Sequence, residues 1–157
     1  MRGKSKDNLA PRINNRKALH NYFISAKIEC GMVLVGSEVK SLRAGRAQLQ
    51  DAWAAVEGGQ LILHGAHIDP YEKSASVYNH EPRRDRRLLA HRREIKRLAS
   101  EMEQKSTTLI PLAIYFKDGR AKIELGVASG KQQHDKRDTI KRKEMYREVR
   151  RAMTQRQ

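Results

Sequence analysis

The stretch that decides the fold is residues 31–47, which read G-M-V-L-V-G-S-E-V-K-S-L-R-A-G-R-A. The apolar run 32–35 predicts a strand, because β-branched and aliphatic side chains suit a buried pleated surface. Gly36 then permits a turn, and Ser37 has the side chain of a helix N-cap. Gly45 stands where a C′ glycine would end that helix. The stretch therefore predicts a strand, a turn and a short helix in succession.

The short helix would have one apolar side and one basic side. Val39 and Leu42 are three residues apart, so both can dock on a sheet. Lys40, Arg43 and Arg46 are then left for solvent or for a partner. This pattern fits a helix that closes the open end of a small barrel.

Two β-hairpins are predicted after this helix, because short apolar runs flank turn residues that tolerate a positive φ. Their arms and turns are residues 53–56 and 61–63 around Glu57-Gly58-Gly59-Gln60, and residues 109–116 and 121–127 around Lys117-Asp118-Gly119-Arg120. Pro111 cannot donate to a strand ladder, so it marks an edge or a bulge. Trp53 is expected in the core.

The remaining apolar periodicities complete a mainly β architecture. A further strand begins at residues 22–24, and Ile95, Leu98, Ala99 and Met102 share one face of a predicted helix. Leu88 and Leu89 are assigned to a short helical turn before it. The sum is a small antiparallel barrel of the oligonucleotide-binding type, with flanking helices and a basic C-terminal tail.

Positive charge is concentrated in three segments of the chain, whose formal net charge is +15. Residues 1–17 carry six Lys or Arg against one acidic residue, residues 83–97 carry eight against two, and residues 131–157 carry ten against four. The rest of the chain is therefore slightly acidic. Such concentration suits a polyanion, because each neutralised phosphate releases counterions. Nucleic acid is the favoured partner class.

The charge distribution divides the chain into three segments, and the low cysteine content indicates that the protein acts in a reducing compartment. We expect a flexible basic segment at 1–14, an RNA-binding barrel at 15–130, and a basic tail at 131–157 that becomes helical on a phosphate-lined surface. Within the tail, Ile140, Tyr146, Val149 and Met153 would form one stripe. The single Cys30, the lack of a long apolar run and the lack of a signal peptide together indicate a cytoplasmic protein without membrane contact.

Signals for catalysis or metal binding are poor. The stretch 126–131 has three residues between its glycines where a phosphate-binding loop has four. His64 and His67 would point to opposite faces of one strand, so they predict no metal site. Asp135 and Asp138 could pair as a nuclease site, but the neighbouring cations favour ion pairing. No enzyme activity, metal or cofactor is expected.

The aromatic side chains are too few for a base-stacking platform along a single strand, which favours recognition of folded RNA by shape and backbone. His20 and Tyr22 lie close in sequence to Arg16 and Lys17 and are candidate surface contacts.

Seven motifs in order resemble the small protein B (SmpB) family of SsrA-binding proteins, from Asn15 to Met153. They are N-R-K-A at 15–18, Y-F-I at 22–24, G-S-E-V-K-S-L-R-A-G at 36–45, H-I-D-P-Y at 67–71, N-H-E-P-R-R at 79–84, L-L-A-H-R-R-E-I at 88–95 and H-D-K-R at 134–137. The resemblance implies an oligonucleotide-binding-fold barrel that acts in trans-translation, the rescue of stalled ribosomes. Ser129 stands where the family would have a basic residue, and Ser106 where it has glycine.

The resemblance also implies partners and site residues. The partners are the tRNA-like domain of transfer-messenger RNA and the ribosome, namely its ribosomal RNA, decoding centre and empty messenger channel, with one protein copy per complex. The RNA-binding set, with the surface candidates included, is Asn15, Arg16, Lys17, His20, Tyr22, Glu29, Lys40, Arg43, Leu89 and Lys131. The tail set for the ribosome is His134, Asp135, Lys136, Arg137, Lys141 and Arg142.

Two other functions fit parts of the pattern. A structural ribosomal or assembly protein would also be basic and tailed. An RNA-processing enzyme would need Asp135 and Asp138 to cleave RNA with magnesium.

Overall fold

The computed structural model describes residues 10–131 and 133–154, with the side chains of 133–135 and 154 left outside the description. The strands are β1 (Ile13–Asn14), β2 (Tyr22–Met32), β3 (Ala47–Gln48), β4 (Trp53–Glu57), β5 (Gln60–His64), β6 (His67–Ile68), β7 (Arg86–Leu89), β8 (Thr108–Lys117) and β9 (Arg120–Gly130). The helices are α1 (Ala18–Asn21), α2 (Gly36–Arg43), α3 (Arg92–Lys105) and α4 (Gln133–Thr154), and a 3-10 turn lies at Ser76–Tyr78.

Antiparallel pairing closes the main sheet on itself. Its strand order is β1-β8-β4-β5-β7-β2-β9, and β9 also pairs with β8, so the strands from β8 to β9 form a closed circuit. The short strands β3 and β6 pair separately. The prediction of a mainly β fold with an antiparallel barrel, flanking helices and a C-terminal basic segment is confirmed. Residues 13 and 14, expected in the flexible segment, pair with β8.

Both predicted hairpins are confirmed by their turn geometry. Gly58 and Gly59 have φ of 56° and 74° between β4 and β5, and Asp118 and Gly119 have φ of 52° and 76° between β8 and β9. Two successive positive φ angles match the right-handed twist of the flanking strands. The register of β8 shifts just after Pro111, which is the bulge that a residue without an N–H predicts.

The stretch 31–47 forms its helix, but the strand before it ends early. Only Met32 of the predicted run 32–35 belongs to β2, because the chain leaves the ladder to reach α2. The N-cap is Val35 and not Ser37: the Val35 N–H donates to Glu38 Oε2 at 3.1 Å. Ser37 lies inside the helix, with its hydroxyl 2.8 Å from His80 Nδ1.

The end of α2 follows the prediction from Gly45. The Gly45 N–H donates to Leu42 O at 3.0 Å and the Arg46 N–H donates to Ser41 O at 3.0 Å, which together form a Schellman motif. Gly45 has a φ of 74°, and an added Cβ would lie 2.8 Å from Pro11 Cγ. Both the backbone angle and the close approach require glycine here.

The core lies inside the barrel and under α2 and α3. Its fully buried members include Leu42, Leu61, Leu63, Leu109, Ile123 and Leu125. A second small cluster of Ala18, Ile110, Leu112 and Ala128 packs under α1. Cys30 is buried in the main core, and burial raises the pKa of its thiol to about 12. Leu98 of α3 is buried, as its helical periodicity predicts.

Two predictions about core positions are wrong. Leu88 and Leu89 belong to strand β7 and not to a helical turn, because Arg86 and Leu88 point inward while Arg87 and Leu89 point outward. Trp53 is 45% exposed and does not lie in the core. Its ring stacks on His64 with the centroids 4.4 Å apart.

Candidate nucleic-acid interface

A groove of about 700 Å³ opens between α2, the end of β2, the end of β7 and the β8–β9 hairpin. Glu29, Val39, Leu89, Phe116, Arg120 and Lys122 are among the residues that line it. The groove therefore brings together Glu29 and Leu89, which were predicted as RNA-binding residues from distant parts of the sequence.

Leu89 is an apolar side chain held at the groove surface. It is 50% exposed, although its neighbour Leu88 is buried. Gly31 lies opposite Leu89 in the β2–β7 ladder, and an added Cβ on Gly31 would lie 3.3 Å from Leu89 Cβ. The glycine thus leaves room for Leu89 to occupy the groove. An exposed apolar side chain here can contact a base or a ribose face.

Glu29 is an acidic group within this basic surface. The Tyr115 hydroxyl donates to Glu29 Oε2, and Lys117 Nζ donates to Oε1 at 3.4 Å. The bond from Tyr115 is the main cause that lowers the pKa of the Glu29 carboxyl. Burial and the Glu29 bond raise the pKa of Tyr115 to about 12. The carboxylate is ionised at neutral pH and can accept from an RNA amino, imino or hydroxyl group.

Lys40 and Arg43 project from the exposed side of α2, as the sequence predicts. Arg43 Cζ lies 4.3 Å from the centroid of Phe116, a residue of the groove wall. Lys40 Nζ lies 5.2 Å from the centroid of Tyr71. Stacking on an aromatic face orients a cation. These two side chains can therefore offer positive charge to phosphate groups beside the groove.

A buried ion cluster lies behind the groove and was missed at the sequence level. Glu38 and Arg86 are fully buried, and Arg86 Nε donates to Glu38 Oε1 at 2.7 Å. Arg84 donates to both carboxylate oxygens, at 2.8 Å from Nε and 2.7 Å from Nη2. Burial raises the pKa of Glu38, but hydrogen bonds from both guanidinium groups and the backbone outweigh it and hold that pKa below its usual range.

The predicted residues near the N-terminus form a second area, at the other end of β2. Tyr22 and Glu29 are seven positions apart along the strand, a distance of about 23 Å. Arg16, Lys17 and His20 are exposed there, and Tyr22 is half-buried against the small cluster under α1. A cavity of about 390 Å³ beside them is lined by Lys17, Tyr22 and Trp53.

Asn15 is not a surface residue in this area. Its side-chain Nδ2 donates to Leu49 O at 3.1 Å and to Pro111 O at 2.9 Å, and the residue is buried. Both partners are carbonyl oxygens, so the amide nitrogen is fully used inside the protein. Asn15 fixes the start of the segment that presents Arg16 and Lys17.

Lys131 joins the barrel to the C-terminal helix. Its Nζ donates to Leu19 O at 2.9 Å and to Thr139 Oγ1 at 3.4 Å, and it lies 4.9 Å from the ring centroid of Phe23. The ammonium group predicted to contact RNA is thus engaged by α1 and the first turns of α4. This contact orients the start of α4.

Helix α4 carries the predicted tail residues. Lys136 is half-buried, and Arg137, Lys141 and Arg142 are exposed; the side chains of His134 and Asp135 lie outside the described residues. Every side chain from Ile140 to Met153 is exposed. The single stripe predicted for this segment is wrong for one member, because Ile140 lies about two and a half turns before Val149 and so on the opposite side. Tyr146, Val149 and Met153 do share a face.

His64 and His67 both contact carboxylates. His64 lies on β5 and His67 on β6, so they do not share one strand. His64 contacts Asp85 and Glu57 at 2.8 Å each; burial lowers its pKa, and the two carboxylates outweigh burial and raise it. Within residues 10–131 and 133–154, no three His, Cys, Asp or Glu side chains group as ligands for one metal ion.

A closed antiparallel barrel with a surface groove, exposed cations on α2 and an exposed basic helix α4 defines a small β-barrel protein of the nucleic-acid-binding class. In the described part of the chain, no helix has both the length and the apolarity needed to cross a membrane. The SmpB protein family matches residues 12–155. The chain belongs to the SmpB family.

Relatives cover almost the whole chain. It is 52% identical over 143 residues to an SsrA-binding protein of Geobacillus thermodenitrificans, which covers 91% of this chain and 92% of the relative. It is 47% identical over 154 residues to an SsrA-binding protein of Syntrophomonas wolfei, with 98% of each covered. A solved chain from a structure described as "tmRNA-SmpB: a journey to the center of the bacterial ribosome" has 44% identity and a TM-score of 0.67, covering 83% of this chain and 95% of its own.

Proposed function

We propose that this protein is an RNA-binding adaptor of trans-translation, which binds the tRNA-like domain of transfer-messenger RNA and delivers it to stalled ribosomes. The observation that carries the proposal is its similarity, over nearly the full chain, to SsrA-binding proteins and to SmpB in a ribosome structure. The family consists of adaptors and not of enzymes. The exposed groove and the exposed basic helix give the chain two separate surfaces for RNA.

The groove is the proposed site for the tRNA-like domain. Lys40 and Arg43 would contact phosphates, because their charges are oriented by aromatic rings and are solvent-accessible. Leu89 would pack on a base or ribose, and Glu29 would accept from a donor on the RNA. Such a mixed surface suits folded RNA, which proteins recognise by shape, backbone and exposed base edges. Arg16, Lys17 and His20 would extend the contact at the other end of β2.

Helix α4 is the proposed ribosome-binding element. Its 22 residues span about 33 Å. The helix would lie in the empty messenger channel, with Lys136, Arg137, Lys141 and Arg142 near ribosomal RNA and with His134 and Asp135 near the decoding centre. The side chains from Ile140 to Met153 lie at the surface, which supports this role. One copy of the protein would act in each complex, in the cytoplasm.

Sequencing the RNA that co-purifies with the intact protein tests the proposal. We expect strong enrichment of transfer-messenger RNA. Ribosomal RNA without transfer-messenger RNA would instead indicate a structural or assembly protein of the ribosome. Binding of the isolated tRNA-like domain should also weaken with salt, with a log–log slope of about 0.7–0.9 per phosphate contact. A flat salt response would contradict phosphate-driven recognition.

A further inference from the structure

We propose that the buried ion cluster of Glu38, Arg84 and Arg86 is a positioning device for RNA binding. It would fix helix α2 at a set distance and angle from strand β7, so that the groove has its binding shape before RNA arrives. The inference rests on the proposed function of the groove. It assigns a role in recognition to three residues that do not line the groove themselves.

The cluster connects the two elements that carry groove residues. Glu38 is the neighbour of Val39, which lines the groove, and it precedes Arg43 by little more than one turn of α2. Arg86 begins the strand that ends with Leu89. The 2.7 Å bond from Arg86 Nε to Glu38 Oε1 therefore ties one wall of the groove directly to the other. A shift of α2 would displace Arg43 relative to Leu89.

The same cluster anchors the segment between β6 and β7. Arg86 Nη1 donates to Ala66 O, just before β6, at 2.7 Å, and Nη2 donates to Pro82 O, after β6, at 3.0 Å, so one side chain is bonded to the backbone on both sides of β6. The segment contains Tyr71, whose ring lies under Lys40. It also contains His80, which contacts Ser37 of α2. The orientation of Lys40 thus depends on the cluster as well.

The cluster consists of charged side chains where apolar ones could pack, which favours a role in fixing the position of α2. A buried ion pair adds little stability over apolar packing of the same volume, because desolvation offsets the attraction. Apolar contacts are non-directional, so they would let α2 slide on the barrel. A planar guanidinium that donates two bonds to one carboxylate fixes both distance and angle. Arg84 makes this two-bond contact with Glu38.

The first test is Arg84→Lys, which keeps the net charge but cannot form the two-bond fork. Arg84 is partly exposed, so the variant should fold. We expect its affinity for the transcribed tRNA-like domain to fall about tenfold, and the salt slope to lose about 0.7–0.9 for each phosphate contact that α2 no longer makes. Arg97→Lys, an exposed position on α3, is the matched control and should bind as the wild type does.

A double-mutant cycle separates positioning from a direct contact or a fold defect. If Arg84 acts through α2, then Lys40→Ala with Arg43→Ala should reduce the RNA affinity much less in the Arg84→Lys background than in the wild type. Glu38→Gln removes one negative charge and so raises the net charge by one unit, and electrostatics alone therefore predicts tighter RNA binding. The positioning role predicts that the folded molecules of this variant bind RNA more weakly than the wild type does. Circular dichroism would measure the folded fraction, so that the affinity can be corrected for unfolded protein.

Wild-type affinity and salt slope in Arg84→Lys, with full additivity in the cycle, would overturn the positioning role. Those results would leave the adaptor function intact. A wild-type protein that binds the tRNA-like domain no better than an unrelated hairpin of equal length would overturn the adaptor function, and the positioning role with it.

Discussion

The groove and helix α4 both present positive charge, but the fold constrains them to different degrees. In the groove, Arg43 stacks on Phe116 and the helix that carries it is tied to the barrel through Glu38. In α4, every side chain from Ile140 to Met153 is exposed. The fold orients the side chains beside the groove, whereas it leaves those of α4 from Ile140 onward at the surface.

Such a difference would allow one small chain to act on two RNA surfaces. A preorganised surface loses little conformational freedom on binding, so its contacts contribute directly to affinity. A projecting helix loses more freedom when it is bound, and its contacts matter only where a matching surface surrounds it. We therefore expect the groove to set the affinity for transfer-messenger RNA. We expect α4 to bind only to a ribosome whose messenger channel is empty.

The largest effect is expected at the start of α4. The combined variant Asp135→Ala, Lys136→Ala and Arg137→Ala should abolish peptide tagging on stalled ribosomes. Its affinity for the tRNA-like domain should stay within about twofold of the wild type, because the described residues that line the groove include none of these three. Tagging assays and binding titrations on the same preparation measure both. Loss of RNA binding in this variant would remove the distinction between the two regions.

The next effect concerns stability. Leu42→Ala removes a fully buried side chain where α2 meets the barrel, and should lower the free energy of unfolding by about 2–5 kcal/mol. Val149→Ala removes an exposed apolar side chain of α4 and should change it by less than about 0.5 kcal/mol. Chemical denaturation of the two variants gives the comparison. Equal losses would mean that α4 packs on the barrel in solution.

A smaller effect is expected for paired charge removal. Lys40→Ala with Arg43→Ala should weaken binding of the tRNA-like domain by about 10- to 100-fold, which corresponds to a loss of about 0.7–1.4 kcal/mol for each of the two charges. Lys141→Ala with Arg142→Ala removes the same charge from α4 and should leave that affinity nearly unchanged. If both pairs weaken binding equally, net charge and not position controls the affinity.

The smallest effect is expected near pH 4.5, the ordinary pKa of a glutamic acid side chain. The pKa of Glu38 is lower in the folded protein, so the unfolded chain takes up its proton first as the pH falls. The stability that Glu38 contributes is present above pH 4.5 and is lost as the pH falls through the folded pKa. Unfolding midpoints between pH 7 and pH 3 should decline less steeply in Glu38→Gln than in the wild type.

Local signals allowed much of the fold to be predicted. Gly58-Gly59 and Asp118-Gly119 specify their turns within two residues, so both hairpins follow from the sequence. Strand β7 was not predicted because one of its two inward residues, Arg86, is charged and only the other, Leu88, is apolar. An inward arginine hides the alternation by which a half-buried strand is recognised. Burial of Arg86 depends on Glu38, 48 residues earlier in the chain.

The site was predictable where a local pattern or a family motif marked it. The exposed positions of Lys40 and Arg43 follow from the periodicity of α2. Glu29 and Leu89 came from the family resemblance, and only the closed barrel shows that they line one groove. The internal use of Asn15 could not be predicted, because its two acceptor carbonyls belong to residues 34 and 96 positions away.

The burial of Cys30 makes the chain suitable for site-specific labelling. Maleimides react with the thiolate form, and a thiol with a pKa of about 12 inside the core scarcely forms it at neutral pH. Because the sequence has no other cysteine, a cysteine introduced at an exposed position such as Met153 would carry the dye alone. Its fluorescence could follow the far end of the tail as the protein enters the ribosome.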